Sequence, residues 1–206
     1  DSSRNMIKAI IFDFGNVVCE FDNNIFLRKI SEFTDKSTSE LNQLIYLSSD
    51  LPRRYETGLI SSDQFFNEIS KRCNLSMSKS EFIKAYTDIF TPIKTSFELI
   101  RKLRPRYKLA LLSDTSEWDF EYGIRPVEVF DLFDAVTLSF EVGALKPDKK
   151  IFYDVLAKLG VEPEECIYID DVEEYVRVAR IIGIHAIHYT SHTDLCHSLR
   201  KLNVFF

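Results

Sequence analysis

Apolar residues change their spacing twice along this chain, and the two changes divide it. Ile7 to Phe12 (IKAIIF) is an apolar run of strand character that ends on a carboxylate, Asp13. Phe14, Gly15 and Asn16 follow it, and Gly and Asn tolerate the positive φ of a sharp exit from a strand. From about Asn24 to Phe90 the spacing becomes helical. Ile25, Leu27 and Ile30 begin one apolar face, and Ser39 precedes Glu40-Leu41 and a run through Leu47. Ser62 or Asp63 suits the N-cap of a helix carrying Phe65, Phe66 and Ile69, and Ser78 or Ser80 that of one carrying Phe82, Ile83, Tyr86 and Phe90. This block of roughly 70 residues predicts an all-α insertion the size of a small domain.

After Pro92 helices and strands alternate. Ser96–Leu103 predicts a short helix, and Lys108–Leu112 a strand ending at Ser113-Asp114. Ala135–Leu138 predicts another strand, with Gly143, Lys146 and Pro147 in the loop beyond it. Lys149–Leu159 is amphipathic and stops at Gly160. Cys166–Ile169 is a strand ending in Asp170-Asp171, Val172–Ile182 a helix, and Ile184–Tyr189 a last strand. Strands separated by helices imply a parallel sheet covered on both faces, so the fold class is α/β, a Rossmann-like sheet with an inserted helical bundle. The core then comprises residues 6–22 and 91–206, and the insertion residues 23–90.

Bulk composition narrows the function. The 206 residues are 45% hydrophobic and 28% charged, as expected of a soluble globular chain. A net charge of −6 argues against a nucleic-acid partner. The one basic run, Arg101–Lys108, reads as a solvated helix end broken by Pro105. No apolar run approaches a membrane span and no secretory signal opens the chain, so a cytoplasmic protein is expected, with Met6 as its natural start and residues 1–5 a leftover before it. Cys19, Cys73, Cys166 and Cys196 have no CxxC spacing and read as reduced thiols; Cys166 is expected in the core, and packing is favoured over reactivity for Cys19. His185, His188, His192 and His197 complete no familiar metal spacing, and the first two should face opposite sides of a strand.

Three strands end in polar residues, Asp13, Ser113 and Asp170-Asp171, and a fourth carries Lys146 in its following loop. In a parallel sheet these ends share one edge, where ligands of open α/β sheets bind. Adjacent carboxylates repel and favour a cation between them. Oxygen donors without His or Cys suit Mg²⁺, which commonly bridges carboxylates and phosphate. A hydroxyl and an ammonium nearby suit phosphoryl oxygens.

The ordered motifs FDFGNVV at Asp13, LLSDT at Ser113, ALKPDKKIF at Lys146 and IYIDD at Asp171 resemble the haloacid dehalogenase (HAD) superfamily, over Met6 to about Tyr189. The helical insertion after the first motif matches that family's cap, and GLISSDQFFNEI resembles its cap helices. The resemblance implies that Asp13 is a nucleophile forming an aspartyl-phosphate. It implies Mg²⁺ held by Asp13, the Gly15 carbonyl and Asp171, with Asp170 in or near the ligand shell. Ser113, with Asp114 and Asn16 beside the site, would contact the phosphoryl group, and Lys146 would offset its charge. The implied substrate is a small phosphorylated metabolite of the sugar-phosphate class.

Two positions depart from the family pattern. Most phosphatases of the superfamily carry a second Asp two positions after the nucleophile, which protonates the leaving oxygen; here Gly15 stands there. Tyr175 replaces a usual Asp or Asn in the fourth motif, and Glu174 is the candidate to compensate. A sub-branch resembling bacterial sugar-1-phosphate phosphatases shares the D-x-G-N start, consistent with good leaving groups; alternatively Asp22 or Glu20 acts as the acid. Two other readings stay open: a 2-haloacid dehalogenase, which needs no such acid, and a non-catalytic phosphate-binding paralogue or receiver-like phospho-acceptor. Arg53, Arg54 and Tyr55 are candidates for substrate contacts from the insertion, with Arg53 and Arg54 more ordinary as surface charges.

Overall fold

A computed structural model describes residues 6–206, so the reading of residues 1–5 lies outside the described chain. Strand β1 (Ala9–Phe12) leads into a short ribbon strand, β2 (Cys19–Phe21), and then five helices: α1 (Asn23–Ser31), α2 (Thr38–Asn42), α3 (Leu51–Glu56), α4 (Ser62–Arg72) and α5 (Lys79–Thr87). The chain returns through β3 (Phe90–Pro92) and α6 (Lys94–Leu103) to β4 (Lys108–Ser113) and β5 (Ala135–Leu138). It closes with α7 (Ser139–Val142), α8 (Lys149–Leu159), β6 (Cys166–Asp170), α9 (Glu173–Ile182), β7 (His185–His188) and α10 (His192–Lys201). None of these helices is long and apolar enough to cross a membrane.

The main sheet runs β5-β4-β1-β6-β7, and every pairing is parallel. β1 lies at its centre with all four residues buried. Side chains alternate across a strand, so Ile10 and Phe12 join one apolar layer with Phe97, Ile100 and Leu195, while Ala9 and Ile11 join the other with Ile151, Val155 and Val176. This is the two-sided burial expected of a parallel sheet. Phe12 pairs with Leu111 and with Ile169, so the residues following these positions emerge side by side at one edge.

The antiparallel ribbon was not foreseen. Its pairing sets Glu20 against Thr91 and Phe21 against Phe90. Phe90 therefore belongs to a strand, not to the helix expected to carry it, which stops at Thr87. Strands of three residues are too short for a readable period. Between them the five helices bury a core of their own around Phe26, Ile30, Phe65, Phe82 and Tyr86.

Two helix starts differ from expectation, and the third takes Ser78, one of its two expected caps. Ser37, Ser61 and Ser78 are the N-caps, each in a reciprocal box with Glu40, Gln64 and Glu81. The S-x-x-E/Q spacing selects Ser37 over Ser39, and Ser61 over Ser62 or Asp63, because the N3 side chain must reach back to the cap N–H. The run expected through Leu47 widens into a π-type turn over Gln43–Leu47.

The inserted helices dock on the core through the loop after β4. Trp118 packs into their apolar core, its backbone N–H donates to the Tyr55 hydroxyl at 3.2 Å, and the Tyr86 and Ser116 hydroxyls lie 3.0 Å apart.

Candidate active site

The C-terminal edge of β1, β4 and β6 brings the expected residues together. Asp13 is buried, and its Oδ1 accepts from the Phe14 N–H at 2.9 Å and from Lys146 Nζ at 2.8 Å. Lys146 Nζ also donates to Asp170 Oδ2 at 3.0 Å and to the Tyr168 hydroxyl at 3.2 Å. The Tyr168 hydroxyl donates to Asp170 Oδ2, and the Val172 N–H to Asp170 Oδ1. One buried ammonium thus bridges two strand ends that would otherwise repel.

Asp13, Asp170 and Asp171 each offer an oxygen within 4.8 Å of the others. Three carboxylates facing one ammonium leave the cluster short of positive charge, and an all-oxygen donor set of this kind fits a hard divalent ion. The electrostatics record the crowding. Burial, then Asp170 and Asp171, push Asp13 well above the usual carboxylate range against the pull of Lys146. Burial and Asp170 raise Asp171 as well. For Asp170 burial acts upward, but Lys146 and the Tyr168 and Val172 donors outweigh it and hold it low. Burial acts downward on Lys146, and Asp13, Tyr168 and Asp170 override it, so its ammonium is held charged.

The remaining expected residues divide. The Gly15 carbonyl is left out of the turn's backbone bonds, which join Phe14 and Asn16 to Cys19. Ser113 ends β4, buried, and lines a cavity of about 100 Å³ together with Gly15 and Asp114. Asp114 Oδ1 accepts from the Lys146 backbone N–H at 2.9 Å, so this carboxylate anchors the loop that delivers Lys146. Asn16 serves the turn, with φ of 63° and its N–H on the Cys19 carbonyl. Asp22 N-caps α1 through the Asn24 N–H, and Glu20 is exposed on β2. Glu174 is exposed, whereas the Tyr175 ring centre lies 5.2 Å from Lys146 Nζ. Tyr55 is a core residue bonded to Ser62, and Arg53 and Arg54 are exposed. Cys19 is buried, and burial pushes its thiol up to about 12. His188 Nε2 bonds the Asp171 carbonyl, and no histidine joins the carboxylate cluster among the described residues.

Three participants escaped sequence reasoning. Tyr168 sits one turn of the pleat before Asp170 and reads as an apolar strand residue. Glu56 and Asp119 line the 100 Å³ cavity with Gly15 and Ser113. Neither lies on a strand end; the only local sign of Glu56 is its place two residues before Gly58, whose φ is 74°.

A family model for haloacid dehalogenase-like hydrolases matches residues 7–183. D-ribitol-5-phosphate phosphatase of Bacteroides thetaiotaomicron is 24% identical over 86% of this chain and 89% of its own length. Sesquiterpene phosphatase astK of Aspergillus oryzae is 25% identical over 95% of this chain and 96% of its own. A HAD family enzyme from Bacteroides thetaiotaomicron, solved with magnesium and inorganic phosphate, superposes with a TM-score of 0.76 at 26% identity, covering 89% of this chain and 94% of that one.

Proposed function

Since the chain belongs to the haloacid dehalogenase-like hydrolase family, we propose that it is a Mg²⁺-dependent phosphatase of small phosphorylated metabolites, of the sugar-phosphate class, working through an aspartyl-phosphate on Asp13. The observation that carries this reading is the buried Asp13–Lys146–Asp170 bridge beside Asp171 at one sheet edge. The phosphatase names of two relatives and the magnesium and phosphate of a solved neighbour support it.

Asp13 attacks phosphorus as the ester oxygen departs. Lys146 and the Phe14 N–H hold Oδ1, which fixes the orientation of the carboxylate. Lys146 also stabilises charge developing on the equatorial oxygens, and Ser113 donates a hydrogen bond to one of them. Asp13, Asp170, Asp171 and the Gly15 carbonyl are the groups that would hold Mg²⁺, which supplies charge neutralisation for nucleophile and phosphoryl group alike. The helices between β2 and β3 form a cap over this edge. Water then attacks the phospho-Asp13 to release phosphate.

A screen of phosphorylated metabolites with Mg²⁺ tests the assignment. Turnover that EDTA abolishes and Asp13→Asn removes is expected. Chloride release from 2-chloropropionate that survives EDTA would replace this reading with a dehalogenase, and phosphate binding without turnover would replace it with a non-catalytic role.

A further inference from the structure

We propose that Glu56, carried by the inserted helices, is the residue that protonates the leaving-group oxygen and later activates water, in place of an acid at position 15. This rests on the phosphatase reading above.

Position 15 is closed to such an acid. A Cβ on Gly15 would lie 2.8 Å from Cε1 and 2.9 Å from Cδ1 of Phe21, so the aromatic ring occupies the space a side chain would take. The cavity beside the ring is walled on the core side by Gly15, Ser113 and Asp114, and it also receives Glu56 and Asp119. Asp114 is engaged by the Lys146 backbone. Asp119 is buried, and its Oδ1 has no hydrogen-bond partner, an orphan acceptor in the cavity that Gly15 and Ser113 also line. Glu56 makes no ion pair among the described residues. It is the last residue of α3, and the loop beyond it is pressed onto the core: a Cβ on Gly58 would meet the Phe140 carbonyl oxygen at 2.4 Å. The close backbone approach at Gly58 seats the end of α3 against α7.

The titratable groups whose charge acts on or is affected by Glu56 are Asp114 and Lys146 from the core, Asp119 from the loop after β4, and Tyr46 and Tyr86 from the inserted helices. Burial, then Asp114, raise Glu56 to about 7, with Lys146 opposing. Burial and the nearby Glu56 raise Asp119 well above the ordinary range. Raised to about 7, Glu56 is partly protonated near neutral pH, which suits a general acid.

In the first step a bond forms between an Asp13 carboxylate oxygen and phosphorus. The bond from phosphorus to the ester oxygen breaks, and the Glu56 proton passes to that oxygen. In the second step the Glu56 carboxylate takes a proton from water as its oxygen attacks phosphorus. The bond from phosphorus to the Asp13 oxygen breaks, its electron pair returns to the Asp13 carboxylate and phosphate leaves, so Asp13 is ionised and Glu56 protonated as at the start.

The test compares an alkyl phosphate (glycerol phosphate) with p-nitrophenyl phosphate, whose leaving group needs no proton. Glu56→Gln is expected to lower kcat/KM about 10²- to 10⁴-fold on the alkyl ester and less than about 10-fold on the nitrophenyl ester. The wild type should lose kcat/KM on the alkyl ester above about pH 7, and Glu56→Gln should lack that limb. Equal losses on both esters, or no loss on either, would overturn the role of Glu56 while leaving the phosphatase reading intact. Should the variant fail to fold, the wild-type profiles decide: an alkaline limb common to both esters, or absent from both, overturns it. No Asp13-dependent turnover of any phosphate ester would overturn both readings.

Discussion

Gly15→Asp asks whether the ring of Phe21 is what keeps an acid out of position 15. Gly15 is not among the residues of positive φ, so the obstacle to a side chain there is steric. The nearest ring atom would stand 2.8 Å from the new Cβ, against an ordinary contact of 3.4 Å or more. Overpacking of this kind costs about 1–3 kcal/mol. Phe21 is 39% exposed, so Phe21→Ala forfeits only part of the ring's burial, about 1–2 kcal/mol. In the double variant the space is free and the clash disappears, so its loss should be less than the sum of the two singles by about 1–3 kcal/mol. The added negative charge enters both Gly15→Asp arms of the cycle and cancels. Urea midpoints of the four proteins measure the coupling. Strictly additive losses would refute the claim that the ring fills the place of a side chain. A kinetic arm follows: in the Glu56→Gln background, Gly15→Asp with Phe21→Ala should recover about 10²-fold or more on an alkyl phosphate. Recovery by Gly15→Asp with the ring still in place would also refute the argument.

Three further outcomes follow from the same geometry. Glu56 is raised to about 7 in the fold against an ordinary value near 4.5, so the folded state binds the extra proton and stability is present below about pH 4.5 and lost as pH rises through 7; Glu56→Gln should therefore be more stable than wild type at pH 8, by about 1–3 kcal/mol in urea unfolding, and no difference at pH 8 would count against the burial of this charge. Mg²⁺ at about 100 times its Kd should stabilise the protein by about 2.7 kcal/mol, a thermal shift that Asp171→Asn abolishes and EDTA reverses. Gly58→Ala, strained at φ of 74° and short of the Phe140 carbonyl, should lower the melting temperature by about 4 °C or more and reduce kcat on alkyl phosphates more than on p-nitrophenyl phosphate.

Much of the site was legible because its residues sit where a linear pattern ends. Asp13, Ser113 and Asp170 each close an apolar strand run, and parallel pairing of adjacent strands must then bring those ends to one edge. Lys146 was legible from its loop beyond the Ala135–Leu138 strand and from motif order; that its ammonium bridges Asp13 and Asp170 is a fact of the loop after α7, held by Asp114. Helix starts are legible through the S-x-x-E/Q spacing of Ser37, Ser61 and Ser78, and not through the nearness of a serine to the apolar run.

By itself, then, the chain's pattern determined the α/β class, the helical block interrupting it and the line of carboxylates, because burial periodicity and strand order are local properties of sequence. Only the tertiary structure decided what surrounds the gap at Gly15. The ribbon of Cys19–Phe21 and Phe90–Pro92 folds Phe21 over it, and the docking of Trp118 and Gly58 carries Glu56 and Asp119 into the same cavity. Those residues lie far apart along the chain and share no period, so no reading of spacing could bring them together; packing of one apolar core against another does.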